Sequence, residues 1–141
     1  MKHYTQNEKV LHTIYRMHEE ESSGKLESRV DFTSEDKFLQ VAAIKIPNQK
    51  SFRPHQHITC KRETDMTQES WVIMRGRIDV VLYDEEGQIM GEEILREGDC
   101  MVTFYGGHSF KCMEENTLVY EFKTGPYFGR EADKVFLDEE N

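Results

Sequence analysis

Two histidines one residue apart, His55-Gln-His57, are the most informative residues in the chain. On an extended strand they project from the same face, about 6.5 Å apart in rise. That geometry suits two imidazoles converging on one metal ion. Taken alone, the same spacing is also met by two unrelated surface histidines. Downstream, Glu69 stands at the head of the apolar stretch Ser70-Trp-Val-Ile-Met-Arg75, and Gly76 ends it. A carboxylate in such a place is seldom buried without a partner. Farther on, residues 98–110 contain a turn, a strand, the Gly106-Gly107 corner and a third strand-borne histidine, His108.

Charge and aromatic residues surround these groups in the sequence. Lys61 and Arg62, joined by Arg53, form a local basic cluster suited to a substrate carboxylate or phosphate. The alternative is a solvated loop whose charges pair with each other. Cys112, four residues beyond His108 and on the same strand face, reads as a core thiol, a soft ligand or a reactive thiol. Trp71 and Tyr120 sit on strand patterns and are candidates to face a ligand. Glu121 and Lys123 alternate with Tyr120 and Phe122, so a buried Glu121 and Lys123 would indicate function and an outward pair would not. His3, His12 and His18 read as surface residues without a role.

The elements that must position these groups are mostly strands. Strand signals cover residues 38–46, 51–59, 70–75, 78–83, 88–95, 101–105, 108–113 and 117–123, separated by Gly, Pro, Asn and Asp turn signals. No helical period interrupts residues 37–124, which excludes parallel βαβ folds and points to an antiparallel sandwich or barrel. The N-terminal stretch is ambiguous: Val10, Leu11, Ile14, Tyr15 and His18 follow helical spacing, while His12, Ile14 and Arg16 alternate as on a strand. The expected organisation is one domain: an extension over 1–36 packing on a barrel of 37–124, and a tail over 125–141 lying across its outside. Phe38, Val41, Trp71, Ile73, Val80, Leu82, Phe110, Leu118, Tyr120 and Phe122 are the expected packing residues.

A chain of 141 residues with 37% hydrophobic residues builds one core of ordinary size. Its 18 Lys+Arg against 27 Asp+Glu give a formal charge of -9, which opposes attraction to phosphate backbones and anionic lipid surfaces. No nucleic acid partner and no membrane partner are therefore expected. No apolar run approaches the length of a membrane span, and no secretory leader is evident, so a cytoplasmic protein is expected. Three cysteines, an odd number, argue against a disulfide framework and for buried free thiols.

Taken in order, His55, His57, Glu69 with six residues before Gly76, then Gly98, Gly106 and His108, resemble the two motifs of the cupin superfamily. The resemblance covers roughly residues 37–124 and implies an all-β, antiparallel jelly-roll barrel. It also implies that His55, His57, Glu69 and His108 ligate one divalent transition metal. Three imidazoles and a carboxylate suit Mn, Fe, Co, Ni or Zn and leave positions for water or substrate. The chain departs from the family pattern in three places: eleven residues separate His57 from Glu69, Phe104 stands at the motif proline, and the gap before His108 is one residue short. Glu63 is the rival ligand by gap length, and Glu69 is preferred for its distance to Gly76. The expected function is a metalloprotein acting on a polar small molecule such as a sugar or sugar nucleotide, by isomerase, epimerase, lyase or oxygenase chemistry. The alternative is a non-catalytic ligand-binding or sensing module with a structural metal or none. A metal-free sugar isomerase using histidines as acid and base ranks below the metal reading, because Glu69 would then be an interior acid without an obvious partner. Edge strands that need covering point to a homodimer, with the N-terminal segment or the tail exchanged.

Overall fold

The computed structural model describes residues 1–24 and 28–137. In chain order its elements are β1 (Lys2–Gln6), β2 (Lys9–Tyr15), α1 (Met17–Ser22), β3 (Arg29–Asp31), β4 (Ala42–Ile44), β5 (Glu69–Arg75), β6 (Arg77–Tyr83), β7 (Ile89–Arg96), β8 (Cys100–Thr103), β9 (Gly107–Cys112), β10 (Leu118–Lys123) and α2 (Arg130–Asp133). Every strand pairing is antiparallel. The strands make a five-stranded sheet in the order β1-β2-β8-β5-β10, a three-stranded sheet in the order β7-β6-β9, and the small hairpin β3-β4.

The six strands expected from residue 70 onward form, with ends shifted by a residue or two. They alternate apolar and polar residues between glycine turns, and β6 shows the pattern most cleanly, with Ile78, Val80 and Leu82 buried and their neighbours half-buried. These three residues meet Ile14, Ile73, Met101 and Tyr4 in the core between the two larger sheets. A second cluster covers the opposite face of the five-stranded sheet, where Phe32, Val30, Leu39 and Val41 of the β3-β4 region pack on Tyr15, Cys100 and Val102. Tyr15 and Phe32 stack with ring centroids 4.2 Å apart.

At the N-terminus the strand pattern prevails over the helical one. Asn7 and Glu8, both at positive φ, make a two-residue turn between β1 and β2. β2 then pairs with β8, which fixes His12 and Ile14 on the inner face. Residues 1–15 are thus part of the main sheet, whereas an extension packing on a barrel was expected, and the one helical turn follows as α1. His12 is fully buried, which corrects its reading as a surface residue; His3 and His18 are exposed. Part of the expected extension, residues 25–27, and the end of the tail, residues 138–141, lie outside the described residues.

Two other expected strands change. The run over 38–46 is reduced to β4, and residues 45–68 form neither strand nor helix, so the strand over 51–59 is absent. Pro54 removes a ladder donor there, and only Phe52 and Ile58 supply apolar surface, so little drives the segment onto a sheet. Residues 44–66 are exposed throughout. Leu118, Tyr120 and Phe122 are also exposed and do not join the core, because β10 turns its other face inward. Of the thiols only Cys100 is buried; Cys60 and Cys112 are exposed, which corrects the expectation of buried cysteines.

Among the described residues no strand pairing joins the two large sheets into a closed barrel. On one side the gap between their edges is closed by side chains: Tyr4 donates a hydrogen bond to Glu93, Arg16 pairs with Glu93, and the Tyr4 ring rests on Gly91 so closely that a Cβ there would come within 2.6 Å. On the other side β9 and β10 each keep an unpaired edge. Among the described residues no helix is long and apolar enough to cross a membrane.

Candidate functional site

Cross-strand register assembles the candidate site. Lys123 of β10 lies opposite Glu69 of β5, Glu69 opposite Thr103 of β8, and Thr103 opposite His12 of β2. The neighbouring row, Glu121, Trp71, Met101 and Ile14, carries the apolar core. One continuous polar row therefore caps the core at one end of the inner face. His108, from β9 of the opposing sheet, reaches across to it.

Glu69 and His108 meet at 3.2 Å, Nε2 to Oε2. Glu69 is nearly buried, and the His108 hydrogen bond holds its carboxyl below the usual carboxylate range against the opposing effect of burial. Lys123 Nζ lies 3.9 Å from Glu69 Oε1. Among the described residues Nδ1 of His108 is buried without a hydrogen-bond partner. The indole N–H of Trp71 is likewise buried without a partner among the described residues. Both side chains flank Phe110: Trp71 stacks on it at 3.7 Å between centroids and His108 lies at 4.9 Å. An aromatic wall with two unused polar atoms thus stands beside a carboxylate-imidazole pair.

His12 supports this end from behind. Its Nε2–H donates to the Tyr83 carbonyl at 2.9 Å, and its Nδ1 accepts from the Thr103 hydroxyl at 3.1 Å. Burial pushes its pKa down from 6.5 to about 4, so the ring is neutral at ordinary pH. Gly106, at φ +74°, lets the chain pass the Tyr83 carbonyl and start β9 there; a Cβ would come within 2.3 Å of that oxygen. The tail completes the surroundings. Asp133 of α2 accepts from Lys123 Nζ and from the Thr67 hydroxyl, both at 3.0 Å.

Of the residues singled out from sequence, Glu69, His108 and Trp71 come together. His55 and His57 lie on the exposed segment, their rings 5.4 Å apart, and His55 Nδ1–H donates to the Arg53 carbonyl. Arg53, Lys61 and Arg62 share that segment; Lys61 pairs with Glu63, the rival ligand, at 2.5 Å. Tyr120 faces outward on β10, beside Phe122 and away from His108. Glu121 points to the inner face but is exposed, because no strand of the smaller sheet covers β10 there. Cys112 shares the His108 face and is exposed. Among the described residues no three His, Cys, Asp or Glu side chains gather as a metal site would require, so the four-ligand set is not assembled in this conformation. Two cavities, of about 350 and 330 Å³, involve the outer face of the larger sheet, and neither touches Glu69 or His108.

His12, Thr67, Thr103 and Asp133 were missed from sequence, and Lys123 was noted only for its alternation with the aromatics. Strand alternation at His12 and Ile14 was the one visible signal for His12. The others acquire their place from register and from the path of the tail.

Comparison with curated proteins and with solved structures finds no match. A family profile described as a domain of unknown function, DUF6016, matches residues 21–95. The matched span runs from the end of α1 through β7 and includes the exposed segment with His55 and His57 as well as Glu69. It covers more than half of the chain, and on that basis the protein belongs to the DUF6016 family.

Proposed function

We propose that this protein is a small cupin-type jelly roll that binds one divalent transition metal, Mn, Fe, Co, Ni or Zn, between its sheets and acts on a polar small molecule such as a sugar or sugar nucleotide. The observation that carries the proposal is the Glu69–His108 contact: two groups distant in sequence, on opposing sheets, meet at 3.2 Å beside an aromatic wall. In this reading they are half of the metal site, and His55 and His57 are the other half.

The free edge of β9 supports the missing half. Residues 51–59 laid along it would complete the smaller sheet, with His55 and His57 turned inward beside Glu69 and His108. Pro54 fits an edge strand whose imide nitrogen faces solvent. The same reading accounts for the loose segment, since burying two imidazoles without a ligand has no compensation. Metal binding and ordering of the segment are then one process. Uncovered edges on β9 and β10 favour a homodimer, and three free cysteines suit a reducing, cytoplasmic setting.

Lys123 favours a second reading, a metal-free ligand-binding module. Its ammonium, 3.9 Å from Glu69 Oε1, already supplies the carboxylate with a positive neighbour. Titration calorimetry with Mn, Co, Ni and Zn separates the two. The metal reading predicts one ion per chain, lost in Glu69→Gln and weakened at least tenfold in His57→Ala, with residues 51–59 gaining amide-exchange protection on binding. No binding by folded parent protein overturns it in favour of the metal-free module.

A further inference from the structure

The tail places a carboxylate where a ligand would put one. Asp133 accepts from Thr67 Oγ1 with one oxygen and from Lys123 Nζ with the other, each at 3.0 Å. Lys123 in turn approaches Glu69, the partner of His108. The stretch that carries Asp133 has few other ties. α2 is four residues long and has no side-chain cap, and Phe128 and Val135 on either side are 80% and 83% exposed. Beyond the Asp133 bonds, the tail is held by Tyr127 under the Lys123 ammonium at 4.3 Å and by Leu137 against Gly107. Segments with so little buried apolar surface open at low free-energy cost.

We propose that Asp133 is a resident stand-in for a ligand carboxylate: Lys123 and Thr67 form the anion end of the site, and a small hydroxy- or oxo-carboxylate displaces the tail to bind there. One ammonium and one hydroxyl match the two oxygens of a carboxylate. A dianionic phosphate would bring a second negative charge toward Glu69 and Glu121, while Lys134, the other cation acting on Glu69 and Asp133, leaves with the tail. The same end of the site offers two unused polar atoms, Nδ1 of His108 and the donor Nε1 of Trp71. A hydroxyl both donates and accepts, so a hydroxy acid satisfies what the protein leaves open. The bond to Asp133 raises the Lys123 pKa, and the same bond with Thr67's lowers that of Asp133, which is the electrostatic match a ligand carboxylate would inherit. This inference rests on reading the Glu69–His108 end as the ligand site, and it does not require the metal.

Trp71 is the only tryptophan in the chain, so its fluorescence reports on the site directly. The probe is D-glucuronate, with glucose as the uncharged counterpart and inorganic phosphate as the other anion. Each is titrated into the full-length parent, Asp133→Asn, Asp133→Ala and Lys123→Met, with folding checked by circular dichroism. In both Asp133 variants glucuronate is expected to bind about tenfold more tightly than in the parent, the gain from removing a competitor that leaves about a tenth of the molecules open. Glucose and phosphate gain nothing, and Lys123→Met loses the preference for glucuronate over glucose. Equal glucuronate affinity in parent and Asp133 variants, an equal gain for glucose or phosphate, or a preference that survives Lys123→Met overturns the proposal. Metal analysis of the same samples keeps the two ideas apart: metal without glucuronate preference sinks only the role of Asp133, and glucuronate preference without metal sinks only the metal site.

Discussion

His12 shows how a single residue ties the site to acid stability. Both ring nitrogens are bonded and the side chain is fully buried, so the folded protein takes up a proton there only near pH 4. In the unfolded chain the same group titrates near 6.5. Between those values the unfolded state binds more protons, so stability falls as pH falls through that window. The contribution is at most about 3 kcal/mol. Urea unfolding at pH 7 and pH 4.5 should show the loss, and His12→Gln, less stable at pH 7, should show a flatter dependence. An unchanged slope in that variant would place the acid sensitivity elsewhere. Glu69, whose pKa is lowered by His108, acts in the same direction below pH 4.5. At this scale Glu69 was legible from its place at the head of an apolar strand that Gly76 ends, and His108 from its place on the strand after the Gly106-Gly107 corner. Lys123 and Thr103 were not, since nothing in their own neighbourhood reveals which residue lies across the ladder.

At the scale of elements, the strands from β5 to β10 could be read because apolar alternation and glycine turns agree there. β1 and β2 were ambiguous because helical and strand periods overlap in Val10 to Arg16, and pairing with β8 decided between them. The segment over 51–59 forms no strand here because alternation of His55, His57 and Thr59 is a pattern of polar residues, which by itself buries nothing. The contrast between the two sides of the sandwich follows from the same physics. On the closed side, Gly91 admits the Tyr4 ring. Gly91→Val should overpack that contact and cost about 1–3 kcal/mol, seen as a lower urea midpoint with an unchanged m-value. A midpoint equal to the parent's would show that the Tyr4 side does not hold the sheets together.

For the whole molecule, the open side dominates. β9 and β10 expose unpaired backbone, and Tyr120 and Phe122 add exposed aromatic surface next to them. Such edges are blunted in native proteins by charges, Pro or bulges, or are covered by further chain or a second copy. Light scattering after size exclusion should therefore give about twice the 16.7 kDa chain mass, and a monomer at micromolar concentration would mean that the chain covers these edges itself. The metal reading concerns the same side, because the segment bearing His55 and His57 is exposed, forms neither strand nor helix, and is long enough to lie along β9. The most direct test is elemental analysis of freshly purified, tag-free protein beside His108→Ala and His55→Ala/His57→Ala variants, all checked for folding. Near-stoichiometric transition metal in the parent and little in either variant is the expected result. Folded parent protein that carries no metal and takes up none from added Mn, Fe, Co, Ni or Zn would contradict it.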